Sequence, residues 1–136
     1  MISLTNIQIK QEKRHIAYFS MEIGVDSRIP TYAGGLGVLA GDTIKSCADL
    51  EVPLVAITLL SQKGHFYQKI DEMGNQIEKP VEWRADDFLE ELPSKISVEI
   101  EGREVKVKAW VYYVEGITEF EIPIFFLDSN IDEHSE

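Results

Sequence analysis

Three stretches decide the fold: Ile16-Ala17-Tyr18-Phe19-Ser20-Met21, then Gly34-Gly35-Leu36-Gly37-Val38-Leu39-Ala40, then the nine apolar-rich residues from Val52 to Leu60. The first is of strand length and ends in the turn-prone segment Gly24 to Pro30. After the glycines, Leu36, Ala40, Ile44, Cys47 and Ala48 recur at three- and four-residue steps, with Asp42, Lys45 and Asp49 on the opposite side. This spacing predicts an amphipathic helix from Leu36 to Leu50. The order strand, glycine loop, helix, strand over residues 15–60 predicts a parallel strand pair, the start of an α/β domain. Both strands are continuously apolar rather than alternating, so both sheet faces are expected to be covered, as in a doubly wound fold.

Residues 61–136 read mainly as a β extension. Lys63 to Ile70 predicts a strand closed by the turn Asp71 to Asn75, and Asp86 to Leu92 a short helix ended by Pro93. Ile96, Val98 and Ile100 alternate with polar residues, as do Val105, Val107, Ala109 and Val111, with Glu101-Gly102-Arg103 between them. That is an antiparallel hairpin. Ile122 to Leu127 forms a final strand, leaving through Asp128-Ser129-Asn130. The chain then stops with no closing helix, an ending that looks cut.

Composition narrows the function classes. Twenty-four acidic against 13 basic residues give a net charge of -11, a field that repels nucleic acid and anionic membranes. The longest apolar run is too short to span a bilayer as a helix, and Met1 to Arg14 carries no signal-peptide block. The single cysteine, Cys47, has no internal disulfide partner and no metal-ligand spacing around it. It reads as a small core residue in a reducing, cytoplasmic setting. No Ser/His/Asp order, Cys/His pair or pair of catalytic carboxylates can be assembled, His65 reads as strand packing, and Asp86-Asp87 and Glu90-Glu91 as a solvated face.

The glycine loop is the chemical feature. Gly35, Gly37 and Ala40 fit the pattern G-x-G-x-x-A, and residues without a Cβ let a ligand touch the main chain. The first N–H groups of the helix favour negative charge, so a phosphate suits the loop. A dinucleotide does not fit, because the loop lies more than ten residues past the first strand and Ser61-Gln62-Lys63 brings no carboxylate for a ribose.

Tyr18-Phe19-Ser20-Met21-Glu22 followed by the run from Ile29 to Asp42 resembles the opening of the α-glucan phosphorylases, in particular the short archaeal and bacterial form. Val52-Pro53-Leu54-Val55, Gly64-His65-Phe66-Tyr67-Gln68 and Phe126 to Ile131 agree with that family in the same order. The resemblance covers Ile16 to Ile131 and identifies residues 1–136 as a partial amino-terminal phosphorylase domain.

It implies an α/β fold that begins a Rossmann-like domain of a two-domain, GT-B type glycosyltransferase, with the hairpin as an extension. It also implies cleavage of α-1,4-glucan by inorganic phosphate to glucose 1-phosphate, assisted by pyridoxal phosphate. By motif match, the main chain of Gly34, Gly35 and Gly37 approaches the phosphates, Leu36 touches the glucosyl unit, and Glu22 lines the pocket. The cofactor lysine and the basic residues for substrate phosphate belong to the family's carboxyl-terminal half. Lys45, Lys63 and Lys69 are therefore not candidates, no catalytic residue is expected in this portion, and the isolated chain is expected to be inactive.

The expected partners are α-glucan, phosphate and the carboxyl-terminal half, in the same or a separate chain, and a homo-oligomer is compatible. One competing reading is a glycogen or starch synthase, whose loop carries a lysine two residues before the first glycine, where this chain has Tyr32. Another is a non-catalytic subunit that binds glucan or a partner, with Trp83, Trp110, Tyr112 and Tyr113 stacking on sugar rings.

Overall fold

A computed structural model describes residues 15–61 and 66–131. Strand β1 (Ile16–Phe19) leads through a long loop to helix α1 (Gly35–Asp49), and β2 (Leu54–Leu59) follows. A two-stranded ribbon comes next, β3 (Tyr67–Ile70) with β4 (Gln76–Lys79), then β5 (Glu90–Ile100), β6 (Arg103–Glu115) and β7 (Glu121–Asp128). The five-stranded sheet has the order β1-β2-β7-β6-β5. β1, β2 and β7 run parallel, and β6 and β5 continue the sheet antiparallel. The fold is α/β with a mixed sheet and a separate antiparallel ribbon.

The parallel unit forms as the sequence predicts. Tyr18 pairs with Ala56, and Ala56 with Ile124, so the three carboxyl ends at Phe19, Leu59 and Asp128 share one edge. Helix α1 covers one face of the sheet, burying Ala40, Ile44 and Ala48 against Leu54, Ala56, Trp110, Val114, Ile122, Ile124 and Phe126. Two glycines set how closely it lies: a Cβ on Gly41 would overlap the carbonyl oxygen of Gly24, and one on Gly116 would overlap the main chain of Ala48. The Ile117 N–H donates to Asp49 Oδ1 at 2.9 Å, fixing the helix's far end. The chain leaves α1 through Glu51 in the left-handed region, φ 56°, with the Val52 N–H donating to the Cys47 carbonyl.

Two expectations are corrected. The second face of the sheet is not covered among the described residues: Phe19 is 74% and Leu59 54% exposed, while β2 alternates buried and half-buried positions. Continuous apolar character makes a strand able to be buried on both faces, but a cover must come from another element, and α1 serves one face only.

The helix expected over Asp86 to Leu92 is a single 3-10 turn at Ala85–Asp87, and β5 begins at Glu90. Pro93 does not end a helix; it sits in the edge strand at a bulge between Glu91 and Lys95, where a missing N–H costs no regular ladder bond. The strand expected from Lys63 begins at Tyr67, and Lys63 and His65 lie outside the described residues.

Candidate glycine-loop site

The loop between β1 and α1 stands at the edge shared by the strand carboxyl ends, where an open α/β sheet places its working groups. Short contacts shape it. The Ser20 hydroxyl donates to the Glu22 carbonyl at 2.7 Å, and the Gly24 N–H donates to the Gly37 carbonyl at 2.8 Å. Glu22, half-buried, accepts the Ala33 N–H on Oε2 at 3.1 Å. Its carboxylate thus ties the end of β1 to the residue before the glycines. Asp26 and Arg28 close the turn beneath, with Arg28 Nε donating to Asp26 Oδ1 at 2.9 Å. Hydrogen bonding from the guanidinium holds the Asp26 carboxyl down at about 2.

The glycines, alike in sequence, divide in space. A Cβ on Gly34 or Gly35 would meet nothing within 4 Å, whereas on Gly37 it would press into the Tyr32 side chain, as close as 2.5 Å. Gly37 and Gly41 are buried, and Gly34, Gly35 and Leu36 are exposed, Leu36 by 79%. Gly34 and Gly35 therefore leave open main chain at the amino end of a 15-residue helix that has no side-chain cap. Gly37 and Gly41 serve packing. Gly37, expected beside the phosphates, points its Cα toward Tyr32, so its place in the loop is structural first.

Beside the loop lies a cleft of about 400 Å³. Tyr32, Ala33, Phe66, Tyr67 and Gln68 line it, joining the loop to β3. The other aromatics are engaged in packing: Trp110 is buried with its Nε1 donating to Asp128 Oδ2 at 3.4 Å, and Trp83 packs on the core with its Nε1 donating to the Ser61 carbonyl at 3.3 Å. Tyr112 also packs on the core and Tyr113 is half-buried, which favours packing over sugar stacking. Cys47 is likewise part of the packing around the core.

Sequence reasoning passed over Asp128. Its carboxylate is fully buried at the end of β7, accepting from Trp110 and from the Asn130 N–H at 2.9 Å, with Lys108 Nζ 4.0 Å away. An aspartate opening a turn gave no signal that the preceding strand would be central. Among the described residues no group of three or more His, Cys, Asp or Glu is placed to hold a metal ion, and no helix is long and apolar enough to cross a membrane.

Comparison with known proteins gives the site its context. No protein-family model matches the chain. The maltodextrin phosphorylase of Thermococcus litoralis is 36% identical over 88% of this chain and 15% of its own length. The glycogen phosphorylase of Mycobacterium tuberculosis is 36% identical over 88% of this chain and 14% of its own length. That of Aquifex aeolicus is 30% identical over 90% and 18% respectively. The chain thus spans less than a fifth of these relatives, and across most of its own length it is a homologue of the α-glucan phosphorylases.

Proposed function

We propose that this chain is the amino-terminal portion of an α-glucan phosphorylase of GT-B architecture and that it brings the glycine loop to the active-site cleft. The observation that carries the reading is the open main chain at Gly34 and Gly35, on the carboxyl-end edge of the sheet, in a chain related to phosphorylases. In the reaction, inorganic phosphate cleaves an α-1,4-glucan and releases glucose 1-phosphate.

The residues present fit the approach of a cofactor phosphate, since space stands open at both glycines and the helix end offers unpaired N–H groups. When bound, pyridoxal phosphate supplies a phosphate group that assists the attack on the glucan. The chain's own part is binding and positioning. The main chain of Gly34 and Gly35 borders the cofactor phosphate, Leu36 packs on the glucosyl unit, and Glu22 holds the loop through the Ala33 N–H. Backbone donors suit this task because they concentrate positive potential locally in a chain of net charge -11. The cofactor lysine and the basic residues for substrate phosphate come from the carboxyl-terminal half.

Phosphorolysis of maltodextrin, followed as glucose 1-phosphate release with pyridoxal phosphate present, tests the proposal. Activity is expected when this chain is combined with a separately made carboxyl-terminal half and not from this chain alone. Gly35→Ala leaves the fold intact, because its Cβ enters open space, and lowers the activity of the combined protein by about 100-fold. Activity of this chain alone, or silence of a folded mixture, overturns the reading.

A further inference from the structure

β5 is the last strand of the sheet on its side, and β6 is its strand partner among the described residues. Every residue from Pro93 to Ile100 is exposed. The two-residue turn Glu101-Gly102, with φ 51° and 73°, is closed by the pair Ile100–Arg103. In such a hairpin the closing pair exchanges both hydrogen bonds, and the pattern then alternates. Ile100, Val98 and Ile96 therefore bond to β6, while Lys95, Ser97 and Glu99 turn their N–H and C=O groups to the free edge.

The hairpin carries an electrostatic misfit on one face. Lys95 lies directly opposite Lys108, and Glu99 directly opposite Glu104, arrangements that destabilise a strand pair. The other face carries Ile96, Val98 and Ile100, exposed by 56%, 37% and 48%. A stretch of edge with alternating apolar residues is a template for strand addition.

We propose that two copies of this chain associate through antiparallel pairing of their β5 edges about a two-fold axis at Ser97. In that register the residue numbers of each facing pair sum to the same value, so Lys95 faces the partner's Glu99, Ile96 faces the partner's Val98, and Ser97 faces its own equivalent. The outward hydrogen-bonding residues are Lys95, Ser97 and Glu99 on both copies, which is the set the register requires. Each misfit is relieved, because Lys95 gains a carboxylate and Glu99 an ammonium. The two apolar rows join into one strip. Pro93 and the bulge before Lys95 end the regular edge, so the paired segment is short and the dimer dissociates on dilution. This surface is separate from the glycine loop, and its test does not depend on the phosphorylase reading.

The test is sedimentation velocity of the 136-residue chain over a range of concentrations, with circular dichroism to confirm folding. A monomer–dimer equilibrium is expected. Lys95→Glu and Glu99→Lys each remove a like-charge contact within the hairpin, so both fold at least as well as the parent, yet each places like charges across the two-fold and weakens the dimer by about tenfold or more. An equimolar mixture of the two variants restores it, because each facing pair across the two-fold then again joins one acid to one base. A parent that stays monomeric throughout overturns the proposal, as do a dimer indifferent to both substitutions and a mixture that remains monomeric.

Discussion

Strands β7 and β5 are similar in apolar pattern and opposite in environment. Ile122, Ile124 and Phe126 are completely buried, whereas Ile96, Val98 and Ile100 are each more than a third exposed. The difference lies in what covers them: α1 packs across β6 and β7 and does not reach the β5 arm. Alternation of apolar residues tells which side of a strand is meant to be dry. Whether that side becomes dry is decided by a different element, so stability concentrates in the half of the sheet beneath the helix.

The sharpest way to break this comparison is truncation on each side of it. Phe126→Ala removes a completely buried ring at the centre of the core and costs about 3–5 kcal/mol in chemical denaturation, whereas Val98→Ala in the exposed arm stays within about 1 kcal/mol. Equal losses at the two sites would mean that the arm is buried in solution by something the core does not provide.

A second contrast separates the glycines. Gly41→Ala forces its methyl into the Gly24 carbonyl and destabilises the fold by about 1–3 kcal/mol. Gly34→Ala, with open space at its Cβ, leaves the melting temperature nearly unchanged.

The smallest effect belongs to the turn beneath the loop. The Asp26 carboxyl titrates at about 2, below its ordinary value of 3.8, because Arg28 hydrogen-bonds the charged form. A depressed folded-state value contributes stability that is fully present above the unfolded pKa and is lost as pH falls from about 4 toward 2. Arg28 is 67% exposed, so solvent screens the pair and Arg28→Gln barely moves the denaturation midpoint near neutral pH. Carboxyl-detected NMR on that variant should find Asp26 titrating in the ordinary carboxylate range.

Much of the parallel half was legible from residue order. The spacing of Ala40, Ile44 and Ala48 announced α1 and its buried face, and Glu101-Gly102 between two alternating runs announced the β5–β6 hairpin. The start of β5 was not legible, because Glu90-Glu91 and Pro93 suit a helix start and stop as well as they suit an exposed edge strand. The left-handed residue after α1 is Glu51, where sequence rules look for glycine. The loop's location could be read, but the division of its glycines could not: Gly34, Gly35, Gly37 and Gly41 are chemically identical, and only the positions of Tyr32 and Gly24 tell open main chain from packed.

Spatial order and chain order disagree in this sheet, and the disagreement has a kinetic consequence. Among the described residues β7 is the last strand to be synthesised, yet it stands third of five, between β2 and β6. A nascent chain that has reached Gly116 holds β1, α1 and β2 as one fragment and the β5–β6 hairpin as another, with no hydrogen bond yet available to join their sheets. Emergence of residues 121–128 closes both seams together, pairing Ala56 with Ile124 and Trp110 with Phe126. Assembly is therefore a late zipping step across long sequence separations, the kind of contact that slows folding. Until it happens, both flanks show unpaired strand edges to the solvent.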